Sequence, residues 1–211
     1  MKKNTVIIDY GLGNLYSIAQ ACSHVGNTPS ITSNREEIMN ADSLILPGVG
    51  AFKVAMDQLN DLDLTTTIID FANSGKPLMG VCLGMQLLFE KSQEFGNHKG
   101  LGLIQGSINR FPEQCNNNKL KIPHIGWNRL FNGNIGWQDT PLKEIKESDF
   151  MYFVHSYYAE PTDLSTILSY THYQDFKYCS SVQKNNIFGF QFHPEKSGET
   201  GLTIYKNFLS I

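Results

Sequence analysis

Gly80-Val81-Cys82-Leu83-Gly84-Met85-Gln86-Leu87-Leu88-Phe89-Glu90 is the stretch on which the reading of the fold turns. The residues leading into it, Lys76-Pro77-Leu78-Met79-Gly80-Val81, make a short apolar run opened by a Gly-Lys-Pro signal, as expected of a buried strand. Those after Cys82 are helical in composition as far as Glu90. Cys82 therefore stands at a strand-to-helix corner. A glycine two residues to either side lets the chain turn sharply and lets other backbone come close, as in a nucleophile elbow with Cys in place of Ser. A thiol at a helix N-terminus is favoured as thiolate by unpaired amides and the positive dipole end. On this stretch alone two readings stay open: a reactive thiol, or a small buried hydrophobe behind a strand.

The surroundings of the elbow read as one large α/β domain spanning residues 1–211. Thr5-Val6-Ile7-Ile8-Asp9 is a continuous apolar run of the kind buried on both faces of a parallel sheet. Tyr10-Gly11-Leu12-Gly13-Asn14 turns it into a helix with Leu15, Ile18, Ala19 and Cys22 at helical spacing and Gly26 as a stop. The Gly-x-Gly there is a weak dinucleotide signal, because Tyr16 stands where the third glycine would be. Thr28 to Thr32 and Ser43 to Leu46 read as further strands, with a capped helix opening at Ser33-Asn34-Arg35-Glu36-Glu37 between them and helical stretches over Ala55 to Leu59 and Leu64 to Phe71. Strand, helix, strand, helix is the pattern of a parallel sheet covered on both sides.

Beyond Glu90 the pattern changes. Ser107 to Pro112 and Leu120 to Pro123 alternate like half-exposed antiparallel strands separated by Asn116-Asn117-Asn118. Phe150 to Tyr158 is one aromatic strand-forming run. Strands over Thr166 to Thr171, Tyr178 to Gln183 and Ile187 to Phe192, the last two joined by an Asn185-Asn186 turn, lead to a closing helix from about Gly201 to Leu209. The expected fold is thus a mostly parallel sheet flanked by helices, with an added antiparallel portion.

With 211 residues, 41% hydrophobic and 18% charged, the chain has the composition of a globular protein with a full core. A net charge of -3 without a Lys/Arg block argues against nucleic acid as the main partner. The apolar run behind Lys2-Lys3 is too short for a signal peptide, and no run approaches membrane-spanning length. Cys22, Cys82, Cys115 and Cys179 are scattered, without zinc spacing. The expectation is a cytoplasmic protein without a metal or organic cofactor.

Two further stretches bear on Cys82. Pro47-Gly48-Val49-Gly50-Ala51-Phe52 ends the third strand. It is either a plain loop or a strand end kept free of side chains so that its N–H groups face a developing oxyanion. Gln191-Phe192-His193-Pro194-Glu195-Lys196-Ser197 follows the last strand. In extended backbone His193 and Glu195 share a side, so the carboxylate can orient the imidazole and the imidazole can activate a thiol. Taken singly, each is also compatible with a satisfied strand-end histidine and a solvated carboxylate. Gln86, one helical turn past Cys82, offers an exposed amide to a substrate amide or carboxylate.

Gly80 to Gln86 with His193-Pro194-Glu195 resembles the class I (triad) glutamine amidotransferases. Asp9 to Leu15, Leu46 to Phe52, Pro123-His124-Ile125-Gly126-Trp127-Asn128, Tyr152 to Tyr157 and Phe190 to Gly198 are similar, within that class, to the glutaminase subunits of imidazole glycerol phosphate synthases. The resemblance runs over essentially the whole chain. It implies a flavodoxin-like α/β fold that hydrolyses L-glutamine without a cofactor and passes ammonia to a separate (βα)8-barrel cyclase subunit, as a heterodimer in histidine biosynthesis. It implies Cys82 as nucleophile, His193 as acid and base, and Glu195 as its orienting carboxylate. Gly50, Gln86, Ser156 and Tyr157 would hold glutamine, and the N–H groups of Leu83 and of Gly48, Val49 and Gly50 would form the oxyanion hole. Because glycine permits backbone orientations that other residues resist, a flip of the peptide around Gly48-Val49 is expected to gate activity, with partner docking ordering the oxyanion hole. His124, Trp127, Tyr152 and Lys196 would face the cyclase. Paralogues that feed surface-sugar amidination share these motifs. A non-catalytic module on the same fold, or a thiol hydrolase without an ammonia-accepting partner, belongs to other classes of reading. Phe131 to Ser148 matches no family pattern.

Overall fold

The computed structural model describes residues 3–116 and 118–211; Met1, Lys2 and Asn117, the middle of the asparagine tract, lie outside the described residues. Strands β1 (Thr5–Ile8), β2 (Ser30–Thr32), β3 (Ser43–Leu46) and β4 (Leu78–Val81) alternate with helices α1 (Leu15–His24), α2 (Arg35–Asn40), α3 (Phe52–Asp61) and α4 (Leu64–Asn73). β1, β3 and β4 have no polar face, because both their faces are covered. Val6, Ile8, Leu44, Leu46 and Leu78 pack with Ile38, Phe52 and Ile68 of α2, α3 and α4. Ile7, Ile45 and Met79, one residue out of phase, pack with Ile18 and Cys22 of α1 and with Ile204 and Phe208 of the last helix.

The second half begins with α5 (Leu83–Leu87) and continues through β5 (Phe89–Ser92), β6 (His98–Lys99), β7 (Ile104–Arg110), β8 (Gln114–Cys115), β9 (Asn118–Lys119), β10 (His124–Arg129) and β11 (Phe131–Asn132). It closes with β12 (Phe150–His155), β13 (Tyr157–Pro161), β14 (Ile167–Tyr173), β15 (Phe176–Lys184), β16 (Ile187–Phe190) and α6 (Gly198–Phe208). The main sheet runs β2-β1-β3-β4-β16-β15-β13-β7-β5-β6. From β2 to β16 neighbours are parallel, and from β15 to β7 they are antiparallel. β10 and β12 form a separate antiparallel ribbon with Trp127 opposite Tyr152 and His124 opposite His155. No helix among the described residues is long and apolar enough to cross a membrane.

Three expected elements differ. The helix after Cys82 stops at Leu87 rather than running to Glu90, because a returning strand claims its carbonyls: Leu87 C=O accepts from Leu101 N–H at 2.9 Å and Leu88 C=O from Ile104 N–H at 3.0 Å. Leu120 to Pro123 is loop; the Lys121 carbonyl is taken by the Tyr173 hydroxyl at 2.6 Å, and the strand begins only at His124. The aromatic run from Phe150 to Tyr158 breaks at Ser156 into β12 of the ribbon and β13 of the main sheet. Phe131 to Ser148 is a structural wrap. Trp137 Nε1 donates to Leu168 C=O at 2.7 Å, and Leu142 and Ile145 join the core on the α6 side.

Candidate active site

β3, β4 and β16 are adjacent and parallel, so their carboxyl ends open on one edge of the sheet, where α/β folds place their ligands. Each end carries one of the stretches singled out in the sequence. β4 runs into Cys82, which has φ 55° and ψ -113°, a conformation that costs a non-glycine residue about 1–3 kcal/mol and collects at functional sites. Hydrogen bonds hold it there: Cys82 N–H donates to Phe190 C=O at 2.7 Å, and its own carbonyl accepts from Gln86 N–H at 3.3 Å. The glycines around it are pressed against backbone. A Cβ on Gly84 would stand 1.9 Å from Leu46 O, and one on Gly48 would stand 2.7 Å from Gly84 N. The Pro47–Gly50 strand end therefore lies directly against the elbow, and Gly50 takes φ +95°.

β16 continues through Gln191 and Phe192 to His193, which is 3% exposed. Its Nδ1 meets Glu195 Oε1 at 2.8 Å, and the Glu195 side chain is fully buried. Glu195 is itself held by Tyr205 Oη at 3.4 Å and Asn14 Nδ2 at 3.5 Å. Burial disfavours a charged His193 ring, but Cys82 and Glu195, as hydrogen-bond and charge partners, outweigh it and raise its pKa to about 10. The ring thus keeps its proton at neutral pH.

Cys82 and His193 open into a pocket of about 330 Å³, within the size of small-molecule sites. Val49, Gly50, Leu83, Gln86, Ser156 and Tyr157 line it too, whereas Gly48 lies beneath, packed on Leu83 and Gly84. Gln86 corrects the expectation of an exposed amide. It is 6% exposed, and its Nε2 donates to Tyr157 C=O at 3.2 Å and Gln191 Oε1 at 2.9 Å, leaving only its oxygen for a ligand.

Four wall residues were given no site role in the sequence: Glu94, and Pro123, Val154 and His155 of the quoted motifs. Glu94 Oε2 accepts from Phe52 N–H at 2.5 Å, which anchors a carboxylate at the pocket rim. The local pattern gave no sign of it, since its partner lies 42 residues away. His155 heads a buried chain whose proton positions are determined. Its Nδ1 lies 2.8 Å from Tyr157 C=O, an acceptor, so Nδ1 carries the hydrogen. Burial pushes the pKa of His155 down to about 3 and that of His124 to about 4, so both rings are neutral. Tyr178 Oη then donates to His155 Nε2 and accepts from His124 Nδ1, each at 3.2 Å.

That chain corrects another expectation. His124 is 2% exposed, stacked on Tyr173, and points to the inner face of β10, so in this chain it presents nothing to a partner. The outer face carries Ile125 (60% exposed) and Trp127 (55%), with half-buried Tyr152 beside Trp127 and exposed Lys196, whose Nζ lies 5.9 Å from the Tyr152 ring centroid.

A strained cysteine at a strand end, beside a buried His–Glu pair in one pocket, has the arrangement of a thiol hydrolase, and the comparisons place it among the amidotransferases. The family model described as "Glutamine amidotransferase class-I" matches residues 6–211. The chain is 50% identical over 210 residues, 99% of each chain, to "Imidazole glycerol phosphate synthase subunit HisH" of Methanosarcina acetivorans. It is 46% identical to the same subunit of Aquifex aeolicus, over 97% of this chain and 95% of that one. Among solved structures, "Structure of PurLQS from Thermotoga maritima" superposes with TM-score 0.73 at 20% identity, over 100% of this chain and 99% of that one, a likeness of fold. The chain belongs to the class-I glutamine amidotransferases and, within them, to the HisH subunits of imidazole glycerol phosphate synthase.

Proposed function

We propose that residues 1–211 act as one glutaminase domain in which Cys82, His193 and Glu195 hydrolyse glutamine and hand the ammonia to a cyclase subunit in histidine biosynthesis. The observation that carries this is His193, buried between the Glu195 carboxylate at 2.8 Å and Cys82 at the pocket floor. The Cys82 sulfur attacks the side-chain carboxamide carbon, forming a C–S bond and an oxyanion. Backbone N–H groups of Leu83 and of the Gly48–Gly50 strand end stabilise that charge. His193, which holds its proton at neutral pH, gives it to the departing nitrogen, and ammonia leaves. The now neutral ring takes a proton from water, whose oxygen attacks the thioester and releases glutamate. Glu195 keeps the ring oriented throughout.

Ser156, Tyr157, Gly50 and the Gln86 oxygen surround the space in which the rest of glutamine would lie, and the Glu94 carboxylate at the rim suits its α-ammonium group. The outer face of the β10–β12 ribbon, with Trp127, Tyr152 and Lys196, is the docking surface for a (βα)8-barrel cyclase. Its exposed aromatic and apolar side chains at the edge of the pocket support that placement. The test is glutamate release by the purified chain, alone and with the barrel from the same genome. Turnover should rise with the barrel and vanish in Cys82→Ala; turnover persisting in that variant would overturn the assignment.

A further inference from the structure

Tyr152 joins two surfaces. Its side chain lies on the outer face of the ribbon, opposite Trp127 with ring centroids 6.0 Å apart. Its backbone faces inward and is bonded to the chain that carries His193. Tyr152 C=O accepts from His193 N–H at 2.9 Å. Tyr152 N–H donates to Ser197 Oγ at 3.0 Å, and the same hydroxyl donates to His193 C=O at 2.7 Å. Ser197 is 2% exposed, so water does not compete for these bonds. Both backbone groups of His193 are therefore tied to one residue of β12, the N–H directly and the carbonyl through Ser197.

A ring fixed by its own backbone in this way turns when β12 shifts. We propose that Ser197 is a positioning residue that makes the direction of the His193 imidazole depend on the docking ribbon, so that a barrel subunit seated on Trp127 and Tyr152 aligns the ring with Cys82. This rests on the catalytic and docking roles proposed above. It differs from gating at the Gly48–Val49 peptide, because the moving group is the acid–base residue and the path runs through β12.

The test uses the full chain in complex with its barrel. In Ser197→Ala, kcat of the barrel-stimulated reaction should fall about tenfold, with KM for glutamine and barrel affinity within about twofold, since alignment and not binding is lost. The NMR shift of the His193 ring that accompanies barrel binding should shrink in parallel. A merely structural role would lower the melting temperature without moving kcat per folded molecule or that shift. Wild-type kcat and ring shift in the Ser197→Ala complex would overturn the inference. Undiminished turnover in His193→Asn would instead sink the catalytic reading beneath it. A measurement on the unaltered protein guards against misfolding of the variant: barrel binding should slow amide hydrogen exchange at Tyr152 and His193 together. Slowing at Tyr152 with His193 unchanged would also overturn the inference.

Discussion

Adding one methyl group at Gly84 tests whether the elbow and the Pro47–Gly50 strand end form a single close-packed unit. The Cβ of Gly84→Ala would lie 1.9 Å from Leu46 O, 2.9 Å from Leu46 C and 3.1 Å from Pro47 C. All three are backbone atoms at the end of a buried parallel strand, so no side-chain rotation relieves the clash. Either α5 or the strand end must withdraw by about 1 Å, an overpacking that costs about 1–3 kcal/mol. For a domain of this size that lowers the melting temperature by several degrees, about 2–4 °C per kcal/mol. The catalytic effect is larger, because the withdrawal separates Cys82 from the backbone N–H groups proposed to receive the oxyanion. A misplacement of about 1 Å costs about a hundredfold in rate. The assay is kcat/KM for glutamine in the complex with the barrel, normalised to folded protein, alongside calorimetric melting. Gly136→Ala is the control. A Cβ there meets nothing within 4 Å, and its backbone is not left-handed. Gly84→Ala with kcat/KM within about threefold of wild type, against the hundredfold expected, would refute the reasoning.

Three further outcomes are expected. Glu195→Gln removes the anionic partner of His193, so the ring's pKa should drop from about 10 and kcat should fall about 10²- to 10⁴-fold; NMR titration of the ring and turnover check both, and an unchanged titration contradicts the account. Neutral, buried His124 and His155 make the fold acid-sensitive. Below about pH 6.5 the unfolded chain takes up protons that the fold refuses until about pH 4 and 3, so stability should fall by about 2–3 kcal/mol per pH unit on acidification. The His193 contribution has the opposite sign. It is full below about pH 6.5 and is lost as pH rises toward about 10, which places the stability maximum near pH 6.5, and urea midpoints flat between about pH 5 and 6.5 would contradict this. Asn34 accepts from Glu36 N–H and Glu37 N–H at the start of α2, so Asn34→Ala should cost about 0.5–2 kcal/mol in denaturant unfolding and leave kcat/KM unchanged.

What could be read from the sequence follows from how local each feature is. β1, β3 and β4 were legible because a strand buried on both faces is a near-continuous apolar run, and glycine or proline marks its ends. The proposed triad was legible because Cys82, His193 and Glu195 each sit within two residues of a glycine or proline that shapes the corner locally. The pocket walls were not legible. Gln86 looked like an exposed amide because its partners, Tyr157 and Gln191, are 71 and 105 residues away, and a local pattern carries no trace of either. His124 looked like a surface residue for the same reason. Its inward direction is set by the register that places it opposite His155 and by Tyr178, 54 residues on. Glu94 carried no local signal, because its partner, the N–H of Phe52, lies 42 residues back. In each case a buried or half-buried polar group finds its hydrogen-bond partner through tertiary structure. The cost of leaving such a group unpaired makes the pairing nearly obligatory in the fold, and it remains invisible along the chain. Gln86 and Glu94, two of the polar residues of the pocket wall, are held by such pairs. The proposed reacting groups were therefore readable from motifs, whereas the wall residues held by distant partners became visible only once the sheet was closed.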